Sequence, residues 1–206
     1  MKKSFIAVLS ALALLASSCM NGLGTSTNTN SGGILTSVLG SVLGNVLFGG
    51  GLGFTSSSLV GNWNYNAPSA AFTTQQTLAK AGGTATTNNM ISSLAPTYQN
   101  IGINKNNTAF NFGADKTFSA KVNGIPFNGT YTFNEQTGEI ALKSGSNTIK
   151  GNVTKTNNGM GLMFDAKQMT TMLQNCGKVS NAAAIEAVSK LAKSADGARV
   201  GFELTK

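Results

Sequence analysis

From residue 107 to residue 164 the chain repeats one pattern six times: a run of alternating apolar and polar residues, then a short cluster of turn formers. The runs are "NTAFNF", "KTFSAKV", "IPFNGTYTF", "GEIALK", "NTIKGNV" and "MGLMF", and the turns between them include "GADK", "NG", "NEQTGE", "SGSN" and "TNNG". A period of two sends successive side chains to opposite faces, which a strand satisfies and a helix does not. Phe110 and Phe112 then share a face, as do Phe118, Ala120 and Val122, and Ile125, Phe127, Tyr131 and Phe133. Ile140 with Leu142, Ile149 with Val153, and Met160, Leu162 and Phe164 continue it. Short strands joined by tight turns make an antiparallel meander, and a twisted meander with one aromatic face closes on itself.

Two further strands flank this block. "LVGNWNY" puts Leu59, Gly61, Trp63 and Tyr65 on one face, and Pro68 is expected to end that strand. "ARVGFEL" closes the chain with Val200, Phe202 and Leu204 inward, placed to pair with the first strand and remove the sheet edge. Between Ser69 and Tyr98 the apolar residues Phe72, Leu78, Met90, Ile91, Leu94 and Tyr98 fall at helical spacings around Gly82-Gly83, which predicts two short helices. After Asp165, Met169, Met172 and Leu173 predict one helix. "SNAAAIEAVSKLAKS", capped by Ser180 or Asn181, predicts another with an Ile185, Val188, Leu191, Ala192 stripe. The expected class is mainly β: an antiparallel barrel of about eight strands, with helices after the first strand and before the last.

The N-terminus concerns location. Lys2, Lys3 and the apolar run "FIAVLSALALLA" read as a secretory signal over residues 1–18, and "LLASSC" reads as a lipobox that makes Cys19 the lipidated N-terminal residue. Acyl chains of that kind hold a protein on a bilayer without a transmembrane helix. Residues 19–33 have the Gly, Ser, Thr and Asn content of a flexible tether. Residues 34–54 hold "ILTSVLGSVLGNVLF", a Gly-rich apolar segment. As a helix it spans about 22 Å, short of the roughly 30 Å hydrocarbon core. The folded domain is then residues 55–206. The acidic residues that follow the cysteine in surface-displayed lipoproteins are missing from "MNGLG", so the expected position is the periplasmic side of the outer membrane.

Composition narrows function. The chain has no histidine and two cysteines; lipidation of Cys19 leaves Cys176 alone, an inert buried thiol at a helix end with no intramolecular disulfide to form. Ser-His-Asp, Cys-His and the common zinc chemistries therefore lack their residues. No cofactor and no metal are expected. The formal net charge of +8 falls to +6 once Lys2 and Lys3 leave with the signal. Those charges are almost all lysines spread along the chain, unlike the arginine-bearing basic stripe of a nucleic-acid binder. The seven acidic residues read as solvated charges in turns and on helix faces, so no enzyme is expected. "GGGLG" lacks the Lys-Ser/Thr of a phosphate loop.

Gly61-Asn62-Trp63 at the start of the first strand, followed by the meander, resembles the lipocalin and calycin signature. With the lipobox, "LVGNWNYNAPSAAF", "YQNIGI", "FNFGADKTFSAKVNGIPFNGTYTFNEQTGEIAL" and "LAKSADGARVGFELTK", the chain from about residue 34 onward is similar to a lipocalin-like family of Bacteroides-type lipoproteins with no assigned function. That resemblance implies a barrel with the Trp63 indole closing one end. The helical insertions, and the lack of an arginine to partner Trp63, depart from an open cup. Two readings of the inward aromatics Trp63, Tyr65, Phe110, Phe112, Phe118, Phe127, Tyr131, Phe133, Phe164 and Phe202 stay open. They line a pocket for a small hydrophobic ligand, or they interdigitate into a solid core of a structural or interaction protein of the envelope, with a protein partner to be found.

Overall fold

A computed structural model describes residues 54–156, 158–175 and 182–206. The expectations for the export signal, Cys19, the tether, residues 34–53, Cys176 and the Ser180 or Asn181 cap lie outside the described residues. In chain order the elements are α1 (Ser56–Leu59), β1 (Gly61–Phe72), α2 (Gln75–Lys80), α3 (Thr84–Ile101), β2 (Ala109–Phe112), β3 (Thr117–Val122), β4 (Ile125–Phe133), β5 (Glu139–Ser144), β6 (Asn147–Thr156), β7 (Gly159–Phe164), α4 (Ala166–Asn175), α5 (Ala182–Lys193) and β8 (Ala198–Thr205).

The eight strands form a closed barrel in which every neighbour is antiparallel and sequential, and β8 returns to β1. Registers agree with the alternation: Trp63 faces Phe110, Phe112 faces Phe118, Ala120 faces Phe127 and Phe133 faces Ile140. At the β3–β4 hairpin Asn123 and Gly124 both have positive φ, 52° and 79°, as a type I′ turn requires.

β1 departs from the expectation at both ends. Leu59 and Val60 precede it, because Thr55 caps a single helical turn by accepting from the Ser58 N–H at 3.1 Å. Pro68 does not end it; the strand bulges between Tyr65 and Ala67 and then pairs with β8 as far as Phe72. The reason is its other edge. β2 pairs with β1 only over Gly61–Asn64, so beyond that point β1 is paired on one side, where a residue without an N–H is tolerated. Ser69 to Phe72 are thus strand, and the helical insertion begins later, at a capping box between Thr74 and Thr77.

Among the described residues the buried apolar side chains sort into two groups. One large cluster joins the inward residues of all eight strands to the helices through Leu78, Met90, Ile91, Leu94, Tyr98, Met169, Met172, Leu173 and Val188. α2 to α5 connect β1 with β2 and β7 with β8, so they cover one end of the barrel, and α1 lies at the other. A second, separate pair, Ala71 and Met163, is also fully buried but lies on the outer wall.

Candidate functional site

The barrel interior brings the sequence-predicted aromatics together. Nine of the ten are buried, with exposures of 7% or less; Phe133, at the end of β4, is partly buried. Phe202 stands at the centre, with Phe110 at 5.7 Å, Tyr65 at 6.0 Å and Phe164 at 6.3 Å between ring centroids. Phe110 stacks on Phe112, Phe112 meets Tyr131 edge-on at 5.1 Å, and Phe118 meets Phe127 at 5.1 Å. These separations are those of rings in mutual contact.

A residue outside the predicted set completes the cluster. Tyr98, from α3, is fully buried beside Phe202 at 5.7 Å and Tyr65 at 6.4 Å, and its hydroxyl donates to the Gly201 carbonyl at 3.2 Å. Its helical spacing marked it as a core residue, but only the tertiary fold shows that the core it enters is the barrel's. Burial raises the hydroxyl pKa of both Tyr98 and Tyr65, and for Tyr98 the proximity of Tyr65 adds to the shift. At neutral pH both are therefore neutral hydrogen-bonding groups. Tyr131 donates to the Gly113 carbonyl at 2.9 Å.

The Trp63 end is closed by local structure. The indole N–H donates to the Leu59 carbonyl at 2.8 Å, Phe54 packs at 5.8 Å, and the Lys206 ammonium sits 4.8 Å from the ring centroid while donating to the Val60 carbonyl at 3.0 Å. Lys206 is thus the cation that the sequence reading did not find. The signal was present: the last strand pairs with the first, Thr205 lies opposite Asn64, and the next residue must lie beside Trp63.

An aromatic-filled antiparallel barrel with an indole at one closed end is a lipocalin-like arrangement, and the sequence profile of the lipocalin-like domain family DUF4923 matches residues 40–206. The chain belongs to that family. Its described function is unknown, so membership brings the fold and not a ligand. No curated protein and no solved structure matches the chain.

Two features of this family member lie outside the barrel. A cleft of about 460 Å³ on the outer wall is lined by Thr132, Ala141, Lys150, Asp165, Gln168 and Arg199, among others. The second overturns an expectation: Glu203, read from sequence as one of seven solvated carboxylates, is 0% exposed. Its β8 parity points it outward, opposite Ala67 and Gly161, yet neither carboxylate oxygen has a hydrogen-bond partner. Burial raises its pKa, against the opposing influence of the Asn66 and Asn158 amides and of Lys105. The turn carboxylates behave as expected: Asp115 is held low by the hydroxyl and N–H of Thr117, and Glu135 by those of Ser56.

Proposed function

We propose that this chain is a non-catalytic lipoprotein of the cell envelope, held at the periplasmic face of the outer membrane by lipid on Cys19, whose barrel serves as a rigid interaction module. The observation that carries this reading is Tyr98. A helix outside the sheet inserts this ring among the inward aromatics and ties it to Gly201, so the protein's own side chains occupy the space in which a lipocalin holds its ligand. A packed interior leaves the outer wall and the helical end as recognition surfaces. The absence of histidine and the lone Cys176 left after lipidation support a role without covalent or acid/base chemistry.

A second reading has its own support. Met90, Met169 and Met172 are buried on the helices that cover one end of the barrel. Unbranched thioether side chains repack at low cost, so the helical end is where a small lipophilic ligand would enter the lipocalin-like barrel. Native mass spectrometry of the full mature chain, released from detergent in several independent preparations, separates the two. The first reading expects the protein mass alone. A reproducible apolar adduct of one mass would overturn it in favour of the second. Metabolic labelling with palmitate tests the anchor, and Cys19→Ser is expected to abolish incorporation.

A further inference from the structure

The cleft of about 460 Å³ on the outer wall is built from three neighbouring strands and the start of α4. Thr132 of β4, Ala141 of β5 and Lys150 of β6 form one outward row across it, since Thr132 pairs with Ala141 and Ala141 with Lys150. Ala141, in the middle, is the short one. At roughly 4.8 Å per strand, Thr132 and Lys150 stand about 10 Å apart across that methyl floor. Phe164 pairs with Val200, which sets Asp165 and Arg199, the next residue on either strand, side by side beyond Lys150. Thr132 and Lys150 are exposed and Ala141, Gln168 and Arg199 half-buried, so the cleft is open to solvent. Its volume lies in the range of small-molecule sites, roughly 300–1,000 Å³.

What the side chains around it offer is decided by the hydrogen bonds they already make. Gln168 Oε1 accepts from the Lys150 backbone N–H at 2.9 Å, so the Gln168 amide N–H groups are left as donors. Asn134 Oδ1 accepts from the N–H groups of Gln136 and Thr137 at 2.9 and 3.2 Å, which leaves its amide nitrogen in the same position. Asp165 Oδ1 accepts from the Gln168 N–H at 2.8 Å, so its charge is partly offset by the first turn of α4. The fold consumes acceptors and leaves donors. Two cations join them: Lys150 and Arg199, the chain's one arginine, form no ion pair with a described residue, and Arg199 Nε meets no acceptor.

Donors around an unpaired guanidinium select an anion, and the guanidinium fork matches the two oxygens of a carboxylate. The lining also limits how much negative charge is accepted. Glu139 and Asp165 line the cleft together with Lys150 and Arg199, so its formal charge sums to zero. A dianion such as a phosphate monoester would be repelled by both carboxylates, whereas one carboxylate is satisfied by the two cations and the amide donors. The rest of the lining includes the Ala141 methyl and the half-buried Phe133. Those apolar surfaces suit a compact body about one ring or one branched chain wide.

We propose that this cleft binds a small monocarboxylic acid with an apolar body. Arg199 and Lys150 hold the carboxylate, with the Gln168 amide as a further donor, and the body lies on Ala141 beside Phe133. The site is separate from the barrel interior and does not depend on how that interior is filled.

Calorimetric titration of the full mature chain with Cys19→Ser, which carries no lipid, tests the site with phenylacetate, phenylacetamide and phenyl phosphate as probes. Phenylacetate is expected to bind one to one, more weakly as salt rises, and about tenfold or more tightly than the amide or the phosphate. Arg199→Gln should weaken phenylacetate about tenfold or more with the urea midpoint kept. Lys150→Gln, at an exposed side chain that holds no fold contact, should weaken it by a smaller factor. Ala141→Leu fills the floor and should abolish binding. No heat up to millimolar phenylacetate, or equal affinity for acid and amide, would overturn the carboxylate site, and tighter binding of phenyl phosphate would overturn the monoanion. Undiminished binding in Arg199→Gln and Lys150→Gln, or in Ala141→Leu, would overturn the placement in this cleft.

Discussion

Glu203 and Glu135 respond to acid in opposite directions because burial dominates at one and hydrogen bonds dominate at the other. Glu203 is fully buried, and desolvation raises its pKa against the weaker opposing pull of the Asn66 and Asn158 amides and of Lys105. Between the ordinary and the raised value the folded chain binds more protons than the unfolded one, so this group's stabilisation is greatest below the ordinary carboxylate range and is lost as pH rises through the raised pKa. Glu203→Gln removes the charge and keeps the shape. It is expected to raise stability by about 1 kcal/mol near pH ~8 and to change little near pH ~4, read from urea melts at both values. A variant destabilised at the higher pH would mean that the ionised carboxylate is needed. Glu135 Oε1 accepts from the Ser56 N–H at 2.7 Å, tying α1 to the β4–β5 turn, and its pKa is lowered. Its contribution is present above the ordinary carboxylate pKa and is lost as pH falls through the lowered one. Glu135→Gln should flatten the acid limb of the stability curve and speed amide exchange at Ser58 and Leu59; an unaltered acid limb would show that the α1 contact carries no linkage.

At the scale of elements, β4 has one position that admits no side chain. A Cβ on Gly129 would lie 1.8 Å from the Lys143 carbonyl oxygen and 3.1 Å from the Ser144 Cα, both backbone atoms of β5. β4 therefore crosses β5 too closely for any other residue, and the glycine between Phe127 and Tyr131 marks the bend that carries the sheet around the barrel. Gly129→Ala is expected to cost on the order of 2 kcal/mol or more, a mechanism of backbone displacement rather than of lost contact; a melt within a degree of the parent would mean that β4 and β5 can part freely. The strand pattern was legible over β2 to β5 because the inward positions there are apolar and the outward ones mostly polar, so parity and burial agree. Parity failed as a guide to burial on β7, β8 and the second half of β1. There Met163, Glu203 and Ser69 point outward and are buried all the same, because what covers an outer wall is a matter of tertiary packing that alternation does not encode. Pro68 misled for a related reason: whether a proline ends a strand depends on which edge is paired, and that is settled by where β2 stops.

For the whole molecule the open matter is whether the barrel is a container or a solid body, and Tyr98 is the side chain that decides it. Its ring touches those of Tyr65 and Phe202, and its hydroxyl meets the Gly201 carbonyl within the sheet. Tyr98→Phe keeps the filling and removes one hydrogen bond, leaving the carbonyl without that donor, at a cost of about 1 to 2 kcal/mol. Tyr98→Ala removes the ring, and the loss should reach about 3 to 5 kcal/mol because the closed barrel can collapse only partly into the space. A void lined by Phe202, Tyr65 and neighbouring apolar side chains would stay dry and accept a small apolar guest. In a solid barrel, then, the parent protein does not respond to benzene or indole, whereas Tyr98→Ala gains Tm with either in a concentration-dependent way, and Tyr98→Phe behaves as the parent. A container gives the reverse order: the parent already gains Tm with an apolar guest, and Tyr98→Ala gains no more, since the space it opens joins one that was available before.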